Sequence, residues 1–339
     1  MRYLGKSGLK VSCLCVGAMS FGSVGKFEEI GKVDLKESTE LIQIALENGI
    51  NFFDTSDAYS RGASEEILGK GLGSKRKDNI ICTKVRFKVG DNPNDEGNSR
   101  YHIINACNAS LRRLGTDYID IYMLHSMDLN TPLEATMRAL DDLVRQGKVR
   151  YIGVSNFSAW MLMKSLAISE KQAVEKFIAY QGYYSVISRD LENEIVPLCL
   201  DQGLGVMVWS PLSGGFLTGK FKRDMQFPKG TRIGDRSKSD FIPPIDYESA
   251  FRILDKMEEI AVNHGASISQ VALNYLLEKP AVSSLVVGIR KKEQLLDNLK
   301  AVNWKLTKAE LLELDEASVM PKPYPYWHHD QTGINNPSL

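Results

Sequence analysis

Asn51-Phe-Phe-Asp54, Ile80-Ile-Cys-Thr-Lys84 and Tyr118-Ile-Asp-Ile-Tyr-Met-Leu-His125 are short apolar runs, and each ends on a polar residue. Tyr59 follows Asp54 in the next turn. Runs of four to eight apolar residues read as strands buried on both faces. A carboxylate, a phenol, an ammonium and an imidazole at three successive strand ends make a proton-transfer set. A phenol has a pKa of about 10 and is a poor acid at neutral pH. A neighbouring ammonium stabilises the phenolate and lowers that value, while a carboxylate keeps the ammonium charged and aimed. Each of these residues alone would more often be structural or merely solvated. Four at successive strand ends point to chemistry.

Outward from these three runs the same pattern repeats. Strand-like segments stand at Cys13–Met19, Asn51–Asp54, Ile80–Lys84, Tyr118–His125, Tyr151–Ser155, Phe177–Gln181, Gly205–Ser210 and Ser284–Gly288. The first seven recur at the spacing of a βα unit, about 30 residues or more. Amphipathic stretches lie between them. Lys36–Asn48 places Leu41, Ile42, Ala45 and Leu46 at helical spacing, and His102–Leu114 does so with Ile103, Ala106, Ala109 and Leu114. Pro132 suits the first turn of a helix ending near Gly147. Eight apolar strands alternating with helices predict an α/β fold, a closed (β/α)8 TIM barrel rather than an open sheet.

Three segments depart from the repeat. Arg2–Ser12 reads as a hairpin around Lys6-Ser7-Gly8, suited to covering the barrel floor. An outsized connection, Ser213–Asp246, rich in Gly, Pro and charge, follows the seventh barrel strand, and such loops are usually functional or mobile. Thr307 with Glu310 three residues on is a capping-box pattern opening an extra helix, 307–317. The tail, Met320–Leu339, shows no helical or strand period and is crowded with Pro, Tyr, Trp and two histidines. No low-complexity linker divides the chain. The expected organisation is one domain over 1–339, with hairpin 1–12, barrel 13–306, extra helix 307–317 and tail 318–339.

Composition narrows the function classes. The 42 Lys+Arg balance the 42 Asp+Glu, so no basic field invites nucleic acid or an anionic membrane. No apolar run approaches the roughly 20 residues that cross a bilayer. The stretch Met1–Cys15 lacks the apolar core and cleavage site of a signal peptide. The five cysteines are odd in number, lack CxxC spacing and read as buried hydrophobes of a reducing compartment. Two glycosylation patterns, at Asn108 and Asn156, are then chance matches, and the ending Pro337-Ser-Leu is not a peroxisomal signal. A cytoplasmic protein is expected. The sequence leaves its oligomeric state open.

Other motifs point to a ligand. Gly214-Gly-Phe-Leu-Thr-Gly219-Lys220 nearly spells a Walker A loop, but Phe221 stands where a hydroxyl should hold magnesium. Its glycines and lysine still suit a diphosphate without metal. No GxGxxG follows a strand, so a Rossmann site is unsupported. Ser155, Asn156 and Gln181 end strands and suit an amide-bearing ring, or serve as caps and core hydrogen bonds. Trp209 could stack on a flat cofactor ring or fill the barrel core. Arg290, opening the stretch Gly288–Asn298, sits where barrels favour phosphate and would clamp one through paired N–H donors, unless it is simply solvated. His328 and His329 lack a third ligand at metal spacing, so no metal is expected. Tyr324, Tyr326, Trp327 and His328 concentrate aromatic surface in the tail, and Pro323–His329, with Tyr326 and Trp327, is expected to fold back over the cleft as one wall of a substrate pocket. Phe87, just beyond Lys84, is expected to supply another, while the alternative packs the tail on the outer helices.

With these residues in hand, the chain resembles the aldo-keto reductase superfamily along nearly its whole length. The matching stretches include Gly17-Ala-Met19-Ser-Phe-Gly22, the run from Asn51 to Tyr59, the strand ending at Lys84 and the segment Leu114–His125. Gly153-Val-Ser155-Asn156-Phe and Ser210-Pro-Leu-Ser-Gly214 continue it, and the fungal aryl-alcohol-dehydrogenase-like branch is the most similar. The resemblance implies NADPH-dependent reduction of an aldehyde or ketone, with Asp54, Tyr59, Lys84 and His125 matching the catalytic tetrad. It implies that Gly17 and Met19 border the cofactor, that Ser155, Asn156 and Gln181 hold the carboxamide, and that Trp209 stacks on the nicotinamide. Ser210, Pro211, Leu212, Gly214, Leu217, Gly219 and Lys220 would line the diphosphate path. Gly288, Arg290, Gln294, Asp297 and Asn298 would hold the adenosine 2′-phosphate and adenine. Many members carry Tyr or Phe where Trp209 stands. Two other classes compete. One is a slow nicotinamide-binding regulatory module such as the potassium-channel beta subunits of the same superfamily. The other is a Schiff-base aldolase on Lys84, which Asp54 disfavours because a partnered ammonium is a poor nucleophile.

Overall fold

A computed structural model of the chain describes residues 1–22, 33–229, 231, 233–234 and 244–333. Parts of the long connection (230, 232 and 235–243) and the end of the tail (334–339) lie outside the described residues.

Eight parallel strands close into a barrel: β3 (Leu14–Gly17), β4 (Phe52–Asp54), β5 (Ile80–Val85), β6 (Ile119–Leu124), β7 (Val149–Ser155), β8 (Phe177–Tyr183), β9 (Gly205–Trp209) and β10 (Val282–Gly288). Each pairs with its neighbours in sequence, and β10 closes on β3 with Leu285 opposite Leu14. Side chains alternate between two apolar layers, as the pleat requires. Cys15, Phe52, Cys82, Ile121, Met123, Ala179, Met207 and Val286 fill the barrel interior. Val16, Phe53, Ile81, Val85, Tyr122, Leu124 and Val208 face the helices. The strands therefore read as continuous apolar runs, because both faces are buried.

The helices α1 (Leu35–Glu47), α2 (Ala63–Leu72), α3 (Arg100–Leu114), α4 (Leu133–Arg145), α5 (Ala159–Gln172) and α6 (Ile195–Gln202) each follow a strand. Their ends are specified locally. Asp34 and Glu37 form a reciprocal capping box at α1, and Ser99 caps α3, which stops at left-handed Gly115. Pro132 is the residue before α4 rather than within its first turn, a shift of one position. The connection from β9 to β10 carries two helices, α7 (Tyr247–His264) and α8 (Ile268–Leu277). After β10 come α9 (Lys292–Lys300) and the extra helix α10 (Lys308–Ala317), capped by Thr307 and Glu310 as expected.

The hairpin pairs β1 (Arg2–Tyr3) with β2 (Lys10–Val11) and pushes Leu4 and Val11 into the barrel interior, closing its floor. Gly5 makes that approach possible: a Cβ there would lie 2.3 Å from the Gly203 carbonyl oxygen. The tail corrects the expectation of an irregular segment. Tyr326–Gln331 form a short helix, α11, that begins after Pro325. Six residues are too few for apolar periodicity to register in the sequence. Among the described residues no helix is long and apolar enough to cross a membrane.

Candidate active site

The interior layer sets the position of the polar residues. Phe52, Cys82, Met123, Ala179 and Met207 point inward, so the residues two positions on, Asp54, Lys84, His125, Gln181 and Trp209, fall on the same face of their strands. They lie at the carboxyl ends of the strands, the end at which barrel sites are built. The register staggers the first three by two residues from strand to strand, with Asp54 opposite Cys82 and Lys84 opposite Met123, while Ser155 stands directly opposite Gln181.

Lys84 is fully buried, and its Nζ donates to Asp54 Oδ2 at 2.6 Å and to the Thr55 carbonyl at 2.8 Å. The same ammonium stands 5.2 Å from the centre of the Tyr59 ring and is hydrogen-bonded to the phenol. Asp54 Oδ1 accepts from Gln181 Nε2 at 2.8 Å, so both carboxylate oxygens are satisfied. Burial by itself would lower the Lys84 pKa, but the Asp54 carboxylate overrides it and the ammonium titrates above its ordinary range. A lysine held charged in this way is no Schiff-base nucleophile.

Tyr59 departs from the simple expectation. Lys84 does favour phenolate, yet burial opposes it more strongly, assisted by Asp54, and the phenol pKa is raised. Tyr59 therefore keeps its proton, which is the form a donor needs. Its ring meets His125 edge-on at 5.7 Å, and Phe87 also packs against the imidazole, at 4.6 Å. Burial, then Lys84 and Arg86, push the His125 pKa well below its usual value, so the ring is neutral. Backbone strain gathers beside this cluster: Ser60 and Arg61, directly after Tyr59, hold φ of 49° and 53°.

A second group of residues rims the same mouth. Asn156, in left-handed conformation at φ 57°, donates to Ser155 Oγ at 2.9 Å and to the His125 carbonyl at 3.0 Å. Trp209 Nε1 donates to Asn156 Oδ1 at 3.0 Å, and its ring lies 5.1 Å from Tyr183 at a tilt of 34°. Tyr183 was not anticipated, although it stands two positions beyond Gln181 on the same strand face. Ser210, Ser213, Gly214, Gly215 and Gly219 all hold positive φ, and the chain from Ser210 to Lys220 curls tightly. Lys220 folds back on that curl: a Cβ on Gly215 would lie 3.2 Å from its Nζ. A concave turn of this kind with a lysine over it suits an anion. Leu217 is buried, Leu212 and Met19 are half-buried, and Gly17 packs so closely on β10 that a Cβ would meet Val286 at 2.9 Å.

Beyond β10, Gln294 Oε1 accepts from the Arg290 backbone N–H at 3.3 Å, at the entrance to α9. Asp297 has both oxygens engaged, by Ser267 Oγ and Gln270 Nε2 at 2.6 Å each, and so ties α9 to the start of α8. Asn298 is buried. The tail residues make contacts of their own. The Tyr326 hydroxyl donates to Glu194 at 2.7 Å, at the entrance to α6, while Trp327 packs with Tyr324 and His328 and stays 44% exposed.

The donor set fits a nicotinamide dinucleotide. Amide side chains and an indole rim the four central side chains, a glycine turn with a lysine follows β9, and an arginine opens α9. Residues 13–319 match the profile of the aldo/keto reductase family. The chain is 37% identical to versiconal hemiacetal acetate reductase of Aspergillus parasiticus, covering 95% of this chain and 98% of that protein. It is 35% identical to a putative aryl-alcohol dehydrogenase of Schizosaccharomyces pombe, over 92% of this chain and 94% of that one. A putative voltage-gated potassium channel subunit beta of the same yeast is 38% identical, over 93% and 92%. With a closed barrel, a match over most of its length and relatives at this identity, the chain belongs to the aldo/keto reductase family of oxidoreductases.

Proposed function

We propose that the protein reduces aldehydes or ketones to alcohols with NADPH at the carboxyl mouth of the barrel, Tyr59 acting as general acid. The observation that carries this reading is the buried Asp54–Lys84–Tyr59 chain beside a neutral His125. When bound, the nicotinamide supplies the hydride. The protein's own residues handle the proton. As negative charge develops on the carbonyl oxygen, Tyr59 gives up its phenolic proton, and the Lys84 ammonium stabilises the phenolate that remains. Asp54 keeps Lys84 charged and aimed. His125, being neutral, donates a ring N–H that orients the carbonyl oxygen. The reading is tested by NADPH consumption against a panel of aromatic and aliphatic aldehydes and ketones. Sustained turnover supports it, and no more than one equivalent consumed per chain with every carbonyl overturns it. That second outcome is what a nicotinamide-binding regulatory module would give, the reading favoured by the likeness to a potassium channel subunit.

The preference for NADPH rests on Arg290. If its guanidinium grips the 2′-phosphate, Arg290→Ala weakens NADPH by about 1.5–3 kcal/mol, the range for a hydrogen bond to a charged group. NADH binding stays nearly unchanged. Titration calorimetry with both cofactors decides it, and equal losses would assign Arg290 to the shared diphosphate or to structure.

Tyr326 and Trp327 are proposed to wall the substrate pocket together with Phe87. The Tyr326–Glu194 hydrogen bond supports this, because it holds the tail against the connection that follows β8. Truncation after Met320 should raise KM for bulky aldehydes while NADPH affinity is kept. Kinetics unchanged across substrate sizes would place the tail outside the pocket.

A further inference from the structure

Between Asp54 and Tyr59 lie Ser56 and Asp57, exposed by 0% and 1%. Ser56 Oγ stands 3.1 Å from His125 Nδ1 and 3.1 Å from Asp57 Oδ1, and it accepts from the Ala58 backbone N–H at 3.2 Å. A hydroxyl has one proton to give and two lone pairs. Ala58 takes one lone pair, so His125 and Asp57 must share the remaining donor and acceptor positions. Only two arrangements satisfy all three contacts. Either a protonated Asp57 donates to Ser56 and Ser56 donates to Nδ1, or Nδ1–H donates to Ser56 and Ser56 donates to an Asp57 carboxylate.

We propose that the first arrangement holds, making Ser56 and Asp57 positioning residues that fix His125 as the tautomer whose proton sits on Nε2 and faces the cleft. The surroundings of Asp57 favour its neutral acid. Its Oδ2 is buried and has no hydrogen-bond partner among the described residues, a costly setting for a carboxylate. From α2, Glu65 faces it with a second buried carboxyl group. Arg113 on α3 is the opposing cation, but it gives its Nε to Glu65 at 2.6 Å and its other contact to Ser110. From β6 the Tyr122 hydroxyl is also near, and from β5 the Lys84 carbonyl accepts the Asp57 N–H at 3.3 Å. Burial and then Glu65 raise the Asp57 pKa well above the carboxylate range, outweighing Arg113, Ser56 and Ala58. On the His125 side, the charged neighbours are Lys84 and Arg86, with Tyr59 and Phe87 against the ring. The tether to the Lys84 carbonyl holds the turn against the strand that carries the ammonium. Use of the Nε2 proton to orient a carbonyl rests on the carbonyl-reduction reading; the tautomer itself does not.

The test is long-range proton–nitrogen NMR of histidine-labelled protein, with the His125 signals assigned by comparison with His125→Asn. Wild type at neutral pH is expected to show the Nε2–H tautomer, and Ser56→Ala a mixture of both. Raising the pH ionises Asp57, reverses the relay and moves wild type toward Nδ1–H. Asp57→Asn, which cannot ionise, holds one tautomer throughout. With a reactive aldehyde, kcat of Ser56→Ala falls roughly 10–100-fold, by analogy with losing the partner that orients a metal-ligating histidine, while NADPH affinity is retained. Wild type carrying Nδ1–H at neutral pH, or an unaltered tautomer in Ser56→Ala, overturns the relay. So does a pH response in Asp57→Asn like that of wild type, and this nearly isosteric variant decides the matter if Ser56→Ala does not fold. A protein with no carbonyl turnover would remove only the proposed activity, since the tautomer is read without substrate.

Discussion

Tyr59→Phe is expected to lower kcat for aldehyde reduction by roughly 10²-fold or more, the contribution of a positioned general acid. The ring stays, so its packing against His125 and its place over Lys84 are preserved. Only the hydroxyl that carries the proton is removed. NADPH affinity should change little, because the residues proposed for the cofactor stand at the ends of β3, β7, β8, β9 and β10 and in the segments that follow them, none on the turn that carries Tyr59. Stopped-flow and steady-state rates with an unactivated aldehyde make the comparison. Turnover near that of wild type would show that Tyr59 is not the acid and that the proton comes from elsewhere in the mouth.

The second large effect concerns stability. Lys84→Met should destabilise the fold by about 3–5 kcal/mol, because it leaves the buried Asp54 carboxylate without its cation. Lys84 is 0% exposed and Asp54 2%, so water cannot replace the lost partner. The Thr55 carbonyl also loses its donor. Adding Asp54→Asn to Lys84→Met removes the stranded charge and should restore a good part of the loss, a coupling that a double-mutant cycle measures directly. Urea unfolding followed by two probes gives the midpoints. A loss under about 1 kcal/mol, the ordinary range of an exposed ion pair, would mean that the pair is solvated in the folded protein. Turnover should fall as well, since Tyr59 would lose the cation that stabilises its phenolate.

Much of the architecture could be read from the chain alone. The strand runs ending at Asp54, Lys84 and His125 lie at the observed barrel strands with boundaries off by one residue or so. Local chemistry explains that legibility. A strand buried on both faces must be apolar throughout, so a polar residue at its end stands out. The capping pair Thr307 and Glu310 is equally local and marked the extra helix correctly. The short helix at Tyr326–Gln331 was missed because fewer than two turns leave no periodic trace. The two helices between β9 and β10, Tyr247–His264 and Ile268–Leu277, were not anticipated either; they lie just beyond the long connection Ser213–Asp246.

Residue types and their order determined the barrel and assembled the polar strand ends, because apolar alternation and βα spacing are properties of neighbouring residues. What the tertiary structure alone decided was how those groups are charged and partnered. Burial depends on contacts between distant segments: the phenol of Tyr59 is raised rather than lowered because protein atoms from several strands exclude water from it. Gln181 reaches Asp54 across 127 positions of sequence, and Trp209 reaches Asn156 across 53. Ser56 and Asp57 sit in plain view between Asp54 and Tyr59, yet nothing in their spacing reveals His125 69 positions away. Those pairings come from closure of the barrel, which brings the ends of eight strands around one mouth and shuts water out.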